Sequence, residues 1–155
     1  VSGVETWTVT IPGTPRPQGS AKWVVGRNTG RPVPKKAPKE VAHRAALVDY
    51  LRRCQAGAPP ITGPVELSAV FAIPRPKSHH TKTGSLTSSA PLLHTYKPDL
   101  DKLCRLVGDA LTIAGVIKDD SLITVIHAEK RWVPQALHGW TRLSIRTVDL
   151  AGDRA

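Results

Sequence analysis

The sequence predicts a single α/β domain in which a mixed β-sheet is packed by two main helices. Three observations point there. Short runs with alternating apolar residues lie near both ends and in the middle of the chain. Two longer stretches read as helices, one with a continuous apolar stripe. The order is strand, helix, strand, helix, strand, strand, with no internal repeat. At 155 residues and 40% hydrophobic composition the chain can build one core, spanning 1–155, but not two.

Taken in order, Glu5 to Ile11 alternates strictly and puts Trp7, Val9 and Ile11 on one face of a half-buried strand. Pro12, Gly13, Pro15, Pro17 and Gly19 break it into a turn-rich segment that carries Arg16 and Lys22. A short second strand is expected around Lys22 to Val25. Residues 26–38 are rich in proline and base and read as a basic loop. Lys39 to Ala56 has no internal Gly or Pro, with Gly57 at the capping position and Pro59-Pro60 beyond, so it reads as a helix. Val65 to Ile73 is a strand. Residues 75–95 are polar, basic and aperiodic, and a mobile loop is expected there. From Pro98 to Gly115, Leu100, Leu103, Cys104, Val107, Leu111 and Ala114 fall three and four apart, the clearest helix in the chain. Leu122 to Trp132 and Trp140 to Val148 are strands, expected to form a hairpin around 133–139.

Charge is the first functional clue. Lys and Arg number 22 against 12 Asp and Glu, a formal net of +10, which suggests a polyanionic partner. The longest apolar run falls far short of the roughly 20 residues of a membrane span. With no leader pattern at the start, a cytoplasmic protein is expected. Cys54 and Cys104 are too few for a disulfide framework and read as packed sulfurs. No Gly-rich phosphate loop is present, so no nucleotide cofactor is expected.

The placement of the acids says more. Between Asp99 and Asp120 stand Asp99, Asp101, Asp109, Asp119 and Asp120 against Lys102, Arg105 and Lys118, a net of −2. Outside that segment lie 19 bases and 7 acids, a net of +12. Carboxylates gathered in a phosphate-binding chain suit Mg²⁺ or Mn²⁺, which offset phosphodiester charge and activate water. The plain alternative makes Asp99 and Asp101 first-turn acids worth ~0.3–1 kcal/mol each to the helix dipole, and Asp119-Asp120 a turn. That alternative leaves the concentration of acids unexplained. Residues two apart on a helix point about 200° from each other, so Asp99 and Asp101 converge only if Asp99 precedes the helix. A helix from Leu100 to Ala114 is ~22 Å long, and residues 115–120 can run back ~20 Å. Asp120 therefore reaches the helix start only if the chain doubles straight back. Arg105, one turn beyond Asp101, can grip a phosphate oxygen, and Asp109 is expected to face solvent.

The run Lys97-Pro98-Asp99-Leu100-Asp101-Lys102-Leu103, then Asp109-Ala110-Leu111, Ala114-Gly115 and Asp119-Asp120, resembles the RusA family of Holliday-junction resolvases. Members of that family show a Pro-Asp-x-Asp-Asn-Leu helix, an Asp-Ala-Leu continuation and an acidic pair opening the next strand. The likeness extends from the turn at Pro15 to Lys22, through Arg75-Pro76-Lys77-Ser78, to the last strands. The acidic segment is its specific part. The resemblance implies a RusA-like fold, with Asp99, Asp101 and Asp120 as essential metal-binding carboxylates and Asp119 as a less critical one. Arg105 stands where the family commonly has a functional lysine, and Lys102 replaces the usual asparagine. It also implies Mg²⁺ dependence, with Mn²⁺ able to substitute, and a homodimer acting on four-way junctions and other branched DNA. Paired symmetric nicks leaving 5′-phosphates are implied too, in a bacterial or phage-infected cell. Arg16, Lys22, Arg75, Lys77, Lys82, Lys97 and Lys102 are the cations expected to hold DNA.

Other signals are weaker. His79-His80 lacks the partners of a metal site and reads as DNA-binding or incidental. Trp23, Trp132 and Trp140 are expected to pack rather than stack on bases. Two rival functions stay open: a non-catalytic basic nucleic-acid-binding domain, and a metal nuclease acting on linear DNA or RNA.

Overall fold

The computed structural model describes residues 5–17, 22–35 and 38–149. Strand β1 (Thr6–Pro12) buries Val9 and Ile11 and half-buries Trp7, as its alternation dictates. Strands β2 (Lys22–Val25) and β3 (Pro32–Lys35) form a separate antiparallel pair. Part of the expected basic loop is thus a strand. Pro32 and Pro34 share parity, so their missing N–H groups fall on one edge of β3 and the other edge can still pair. The chain reverses between them where Gly26 N–H donates to the Arg31 carbonyl at 2.9 Å and Gly30 takes a positive φ of 61°.

Helix α1 (Pro38–Gln55) turns Leu47, Val48 and Leu51 inward, and Tyr50 Oη donates to the Thr10 carbonyl at 3.0 Å. Cys54, in the last turn of the helix, is exposed and not packed; Cys104 is half-buried. Strand β4 (Val65–Pro74) buries Val65, Leu67, Ala69, Phe71 and Ile73. Helix α2 (Leu100–Ala114) begins after Pro98 and Asp99, which form its lead-in instead of its first turn. Its buried stripe holds Leu103, Val107, Leu111 and Ala114, widened by Leu106 and Ala110. Gly115, at φ 77°, closes it by donating to the carbonyls of Leu111 and Thr112.

Strands β5 (Ile123–Val133) and β6 (Trp140–Thr147) are not a hairpin. The sheet order is β1-β6-β4-β5, with β6 antiparallel to both neighbours and β5 parallel to β4. Burial explains the exchange. Strand β6 buries Thr141, Leu143 and Ile145 and suits the middle, whereas residues 124–127 of β5 are all exposed and suit an edge. The return from β4 to β5 through α2 is the crossover a parallel pair needs. Both helices pack on one sheet face, where Val9, Ile11, Leu67, Phe71, Leu143 and Ile145 meet Leu47, Leu51, Leu103, Val107 and Leu111.

The segment after β4 carries its own bonding. A 3₁₀ turn spans Lys77–His79, His80 bridges Leu86, and Thr81 N–H donates to the Ser85 carbonyl at 2.7 Å. Arg75 anchors its base, donating to the Pro91 carbonyl at 2.8 Å with its guanidinium 5.4 Å from the Trp132 ring. Among the described residues no helix is long and apolar enough to cross a membrane.

Candidate active site

The start of α2 lies at the carboxyl end of the parallel β4–β5 pair, where open α/β sheets place their sites. Lys130 of β5 holds it there, its Nζ donating to the carbonyls of Tyr96 at 2.6 Å and Pro98 at 2.9 Å. Asp99 is consequently extended, at φ −71° and ψ 137°, while Asp101 occupies the first helical turn. This is the lead-in geometry that two acids in an Asp-x-Asp need in order to share one end of a helix. The Asp99 carboxylate makes no capping bond and instead accepts from Lys102 Nζ at 2.9 Å. That hydrogen bond and the charge behind it hold its pKa below the usual carboxylate value.

The second acidic pair lies elsewhere. Asp119 accepts from Ser121 N–H at 2.9 Å, and hydrogen bonding from the Ser121 side chain and then its backbone lowers its pKa. Asp120 packs over the middle of α2, its Cβ 3.7 Å from the position a Cβ on Gly108 would take. Gly108 is seven residues beyond Asp101, about 10 Å along the helix axis. The chain does not double straight back, because Val116 and Ile117 are fully buried and Lys118 N–H donates to the Ile61 carbonyl at 2.9 Å. Among the described residues, no three His, Cys, Asp or Glu side chains gather closely enough to hold an ion. Asp120 lines instead a shallow cavity of about 260 Å³ with Arg44, Asp109, Thr112 and Ile113. Asp109 is thus half-buried in this cleft, not free in solvent, because α1 covers that flank of α2. Arg44 was not singled out by sequence; its one signal is its place in the Arg-bearing face of α1.

The family model described as Endodeoxyribonuclease RusA matches residues 12–137. The chain belongs to the RusA endodeoxyribonuclease family. It is an endonuclease of the Holliday-junction-resolving kind, which hydrolyses phosphodiesters in branched DNA. A search of curated proteins found no match. The matched residues include both acidic groups of this RusA-family chain and exclude β6.

The cations of this RusA-family protein divide by their engagements. Lys97 and Arg105 are exposed beside Asp99 and Asp101, and Lys102 is tied to Asp99. Lys77 and Lys82 line a groove of about 440 Å³ with His80 and residues 134–136. Arg75 is half-buried and holds the loop base through its bond to the Pro91 carbonyl. Arg16 is exposed; the Lys22 and Trp23 side chains lie outside the described residues. His79 meets the Trp132 ring edge-on at 5.0 Å, and His94 lies against the same ring at 4.0 Å. Trp132 Nε1 donates to the Leu93 carbonyl, and the half-buried Trp140 ring lies 5.0 Å from the Arg142 guanidinium.

Proposed function

We propose that this chain is a Mg²⁺-dependent, homodimeric resolvase that introduces paired symmetric nicks into four-way junctions and leaves 5′-phosphates. The observation that carries this is the start of α2, where Asp99 in its extended lead-in and Asp101 in the first turn stand among Lys97, Lys102 and Arg105. Acids that served only as caps would bond the helix amides, and Asp99 does not. The carboxylates are the right donors for a hard divalent ion, with Mn²⁺ as its substitute. One protomer nevertheless does not fit such an ion among its described residues, since Asp120 packs at Gly108, about 10 Å along the helix from Asp101.

The chain's own cations have a defined part. Lys97 and Arg105 can receive the phosphates flanking the cut, and Lys102 can exchange Asp99 for a phosphate oxygen. Lys77 and Lys82 can hold an arm of the junction further out, with Arg16 and Lys22 as further contacts. Movement of the 77–87 hairpin against its Arg75 anchor would let the groove adjust to the arm. A cytoplasmic setting, in a bacterial or phage-infected cell, fits this substrate.

The test is cleavage of a synthetic four-way junction beside a linear duplex of the same sequence, with Mg²⁺, Mn²⁺ or chelator. Symmetric nicks in the junction alone, ligatable afterwards, support the reading. Equal cleavage of linear DNA or RNA favours a less selective nuclease, and binding without cleavage a non-catalytic domain.

A further inference from the structure

The geometry points to Leu92 and Leu93 as an apolar wedge that enters the branch point of the junction and unstacks its bases. This rests on the resolvase reading above and adds what recognises the branch itself. The two leucines are 86% and 75% exposed, the highest values among the large apolar side chains described, and Tyr96 beside them is 57% exposed. A single exposed leucine is ordinary, whereas an adjacent pair held outward is a contact surface without its contact. The pair is held. Arg75 donates to the Pro91 carbonyl at 2.8 Å, just before it, and Trp132 Nε1 donates to the Leu93 carbonyl at 3.2 Å. His94, just after it, is buried with its ring 4.0 Å from that of Trp132. A tip bonded on both sides loses little freedom when it binds, so more of its apolar contact is kept as affinity.

The tip is also tied to the acids at the start of α2. Lys130 and Trp132 stand two apart on β5, about 7 Å at their Cα atoms. Trp132 holds the Leu93 carbonyl, while Lys130 holds those of Tyr96 and of Pro98, immediately before Asp99. The stretch from Leu93 to Asp99 spans at most ~20 Å even fully extended, or about six nucleotide steps at ~3.4 Å along a strand. DNA seated on the leucines is thus within reach of Asp99 and Asp101.

Charge selects the occupant. Residues 67–98 hold no Asp or Glu, and within them stand Arg75, Lys77, Lys82 and Lys97. An apolar tip in a wholly basic segment suits a polyanion with an apolar interior, which is DNA where its base stack is broken. In continuous duplex each base is covered by its neighbours, and an entering side chain must first part them. At a four-way branch the stack is already interrupted, so the same leucines enter at lower cost. The wedge therefore favours a branch over linear duplex, which offers the lysines the same phosphates.

The test uses a four-way junction with 2-aminopurine at the branch point, a base whose fluorescence is quenched by stacking. Wild-type protein, with chelator present to prevent cutting, should raise that fluorescence about two-fold or more, and should not do so on a linear duplex. Leu92→Ser combined with Leu93→Ser should abolish the rise and slow junction cleavage in Mg²⁺ by ~10-fold or more. Duplex affinity, Tm and the mass seen by light scattering should stay unchanged. Leu92→Met with Leu93→Met should restore both the rise and the cleavage. Junction cleavage by the wild type without a fluorescence rise, or undiminished cleavage by the serine variant, overturns the wedge and leaves the resolvase standing. A serine variant of half the wild-type mass overturns it too, because the leucines then hold a second copy of the chain. A fluorescence rise with no cleavage by the wild type in Mg²⁺ or Mn²⁺ overturns the resolvase reading and leaves the wedge.

Discussion

At the residue scale, the two acidic groups carry the strongest expectations. Asp99→Asn, Asp101→Asn and Asp120→Asn each keep side-chain shape while removing a charge. Junction cleavage should fall by orders of magnitude in each, and metal-free junction binding should hold or tighten, since a charge repelling phosphate is gone. Asp49→Asn, at an exposed acid paired with Arg53, serves as the control that leaves both unchanged. Near-normal cleavage by folded Asp101→Asn would end the site assignment. His94 supplies a pH-dependent counterpart. It is buried against Trp132, its Nδ1 without a partner among the described residues, and burial lowers its pKa. The unfolded chain therefore takes up a proton near pH 6.5 that the folded protein resists. Stability is complete above that pH and declines as pH falls toward the folded pKa. His94→Phe should flatten the fall in Tm between about pH 7 and 5.5; an unchanged slope places the titrating group elsewhere.

Single glycines show how elements depend on close approach. A Cβ on Gly139 would stand 2.7 Å from Thr14 Cα and 2.9 Å from the Ala72 carbonyl oxygen, both backbone atoms that cannot swing away. Gly139→Ala should therefore cost ~1–3 kcal/mol or more in chemical denaturation. Gly108→Ala meets only ordinary contacts at 3.7 and 3.9 Å and removes a glycine from a helix interior. It should stabilise α2 by ~0.5–1 kcal/mol. At the 77–87 hairpin, Lys77→Ala with Lys82→Ala should reduce the slope of log affinity against log salt by up to ~1.8, at ~0.9 per phosphate, without moving Tm. Arg75→Ala should behave differently, loosening the hairpin base and raising protease cutting there, because its guanidinium holds Pro91 and Trp132. Loss of salt slope from Arg75→Ala in a still-anchored loop would restore it as a DNA contact.

At the scale of the whole molecule, the substrate sets the requirement. A four-way junction is close to two-fold symmetric, and resolution needs two placed nicks, which a dimer supplies. Light scattering should give twice the chain mass under assay conditions. Mixing Asp101→Asn and Asp120→Asn chains supplies a sharper check. If each site draws Asp101 from one protomer and Asp120 from the other, mixed dimers hold one intact site and one doubly damaged site. Nicking should reappear in the mixture while paired resolution does not. If each site is self-contained, the mixture stays as inactive as its parents.

Much of this was legible in the chain itself, because local chemistry decided it. The stripe on α2, Gly115 at its end, the alternation in β1 and β4, and the acidic segment are all short-range patterns written in side-chain spacing. The family likeness rests on that same segment. Tertiary structure alone decided where the elements went. Hydrophobic alternation states that β5 and β6 are strands but not that β4 stands between them, since pairing partners are chosen by burial across the whole sheet. The polarity of residues 75–95 forecast a surface segment, and only the fold shows Arg75 turned inward onto Trp132. The path from Gly115 to Asp120 was long enough to return to Asp99. Burial of Val116 and Ile117 and the bond from Lys118 to Ile61 tie it down instead. Sequence names the acids; packing keeps them apart within one protomer.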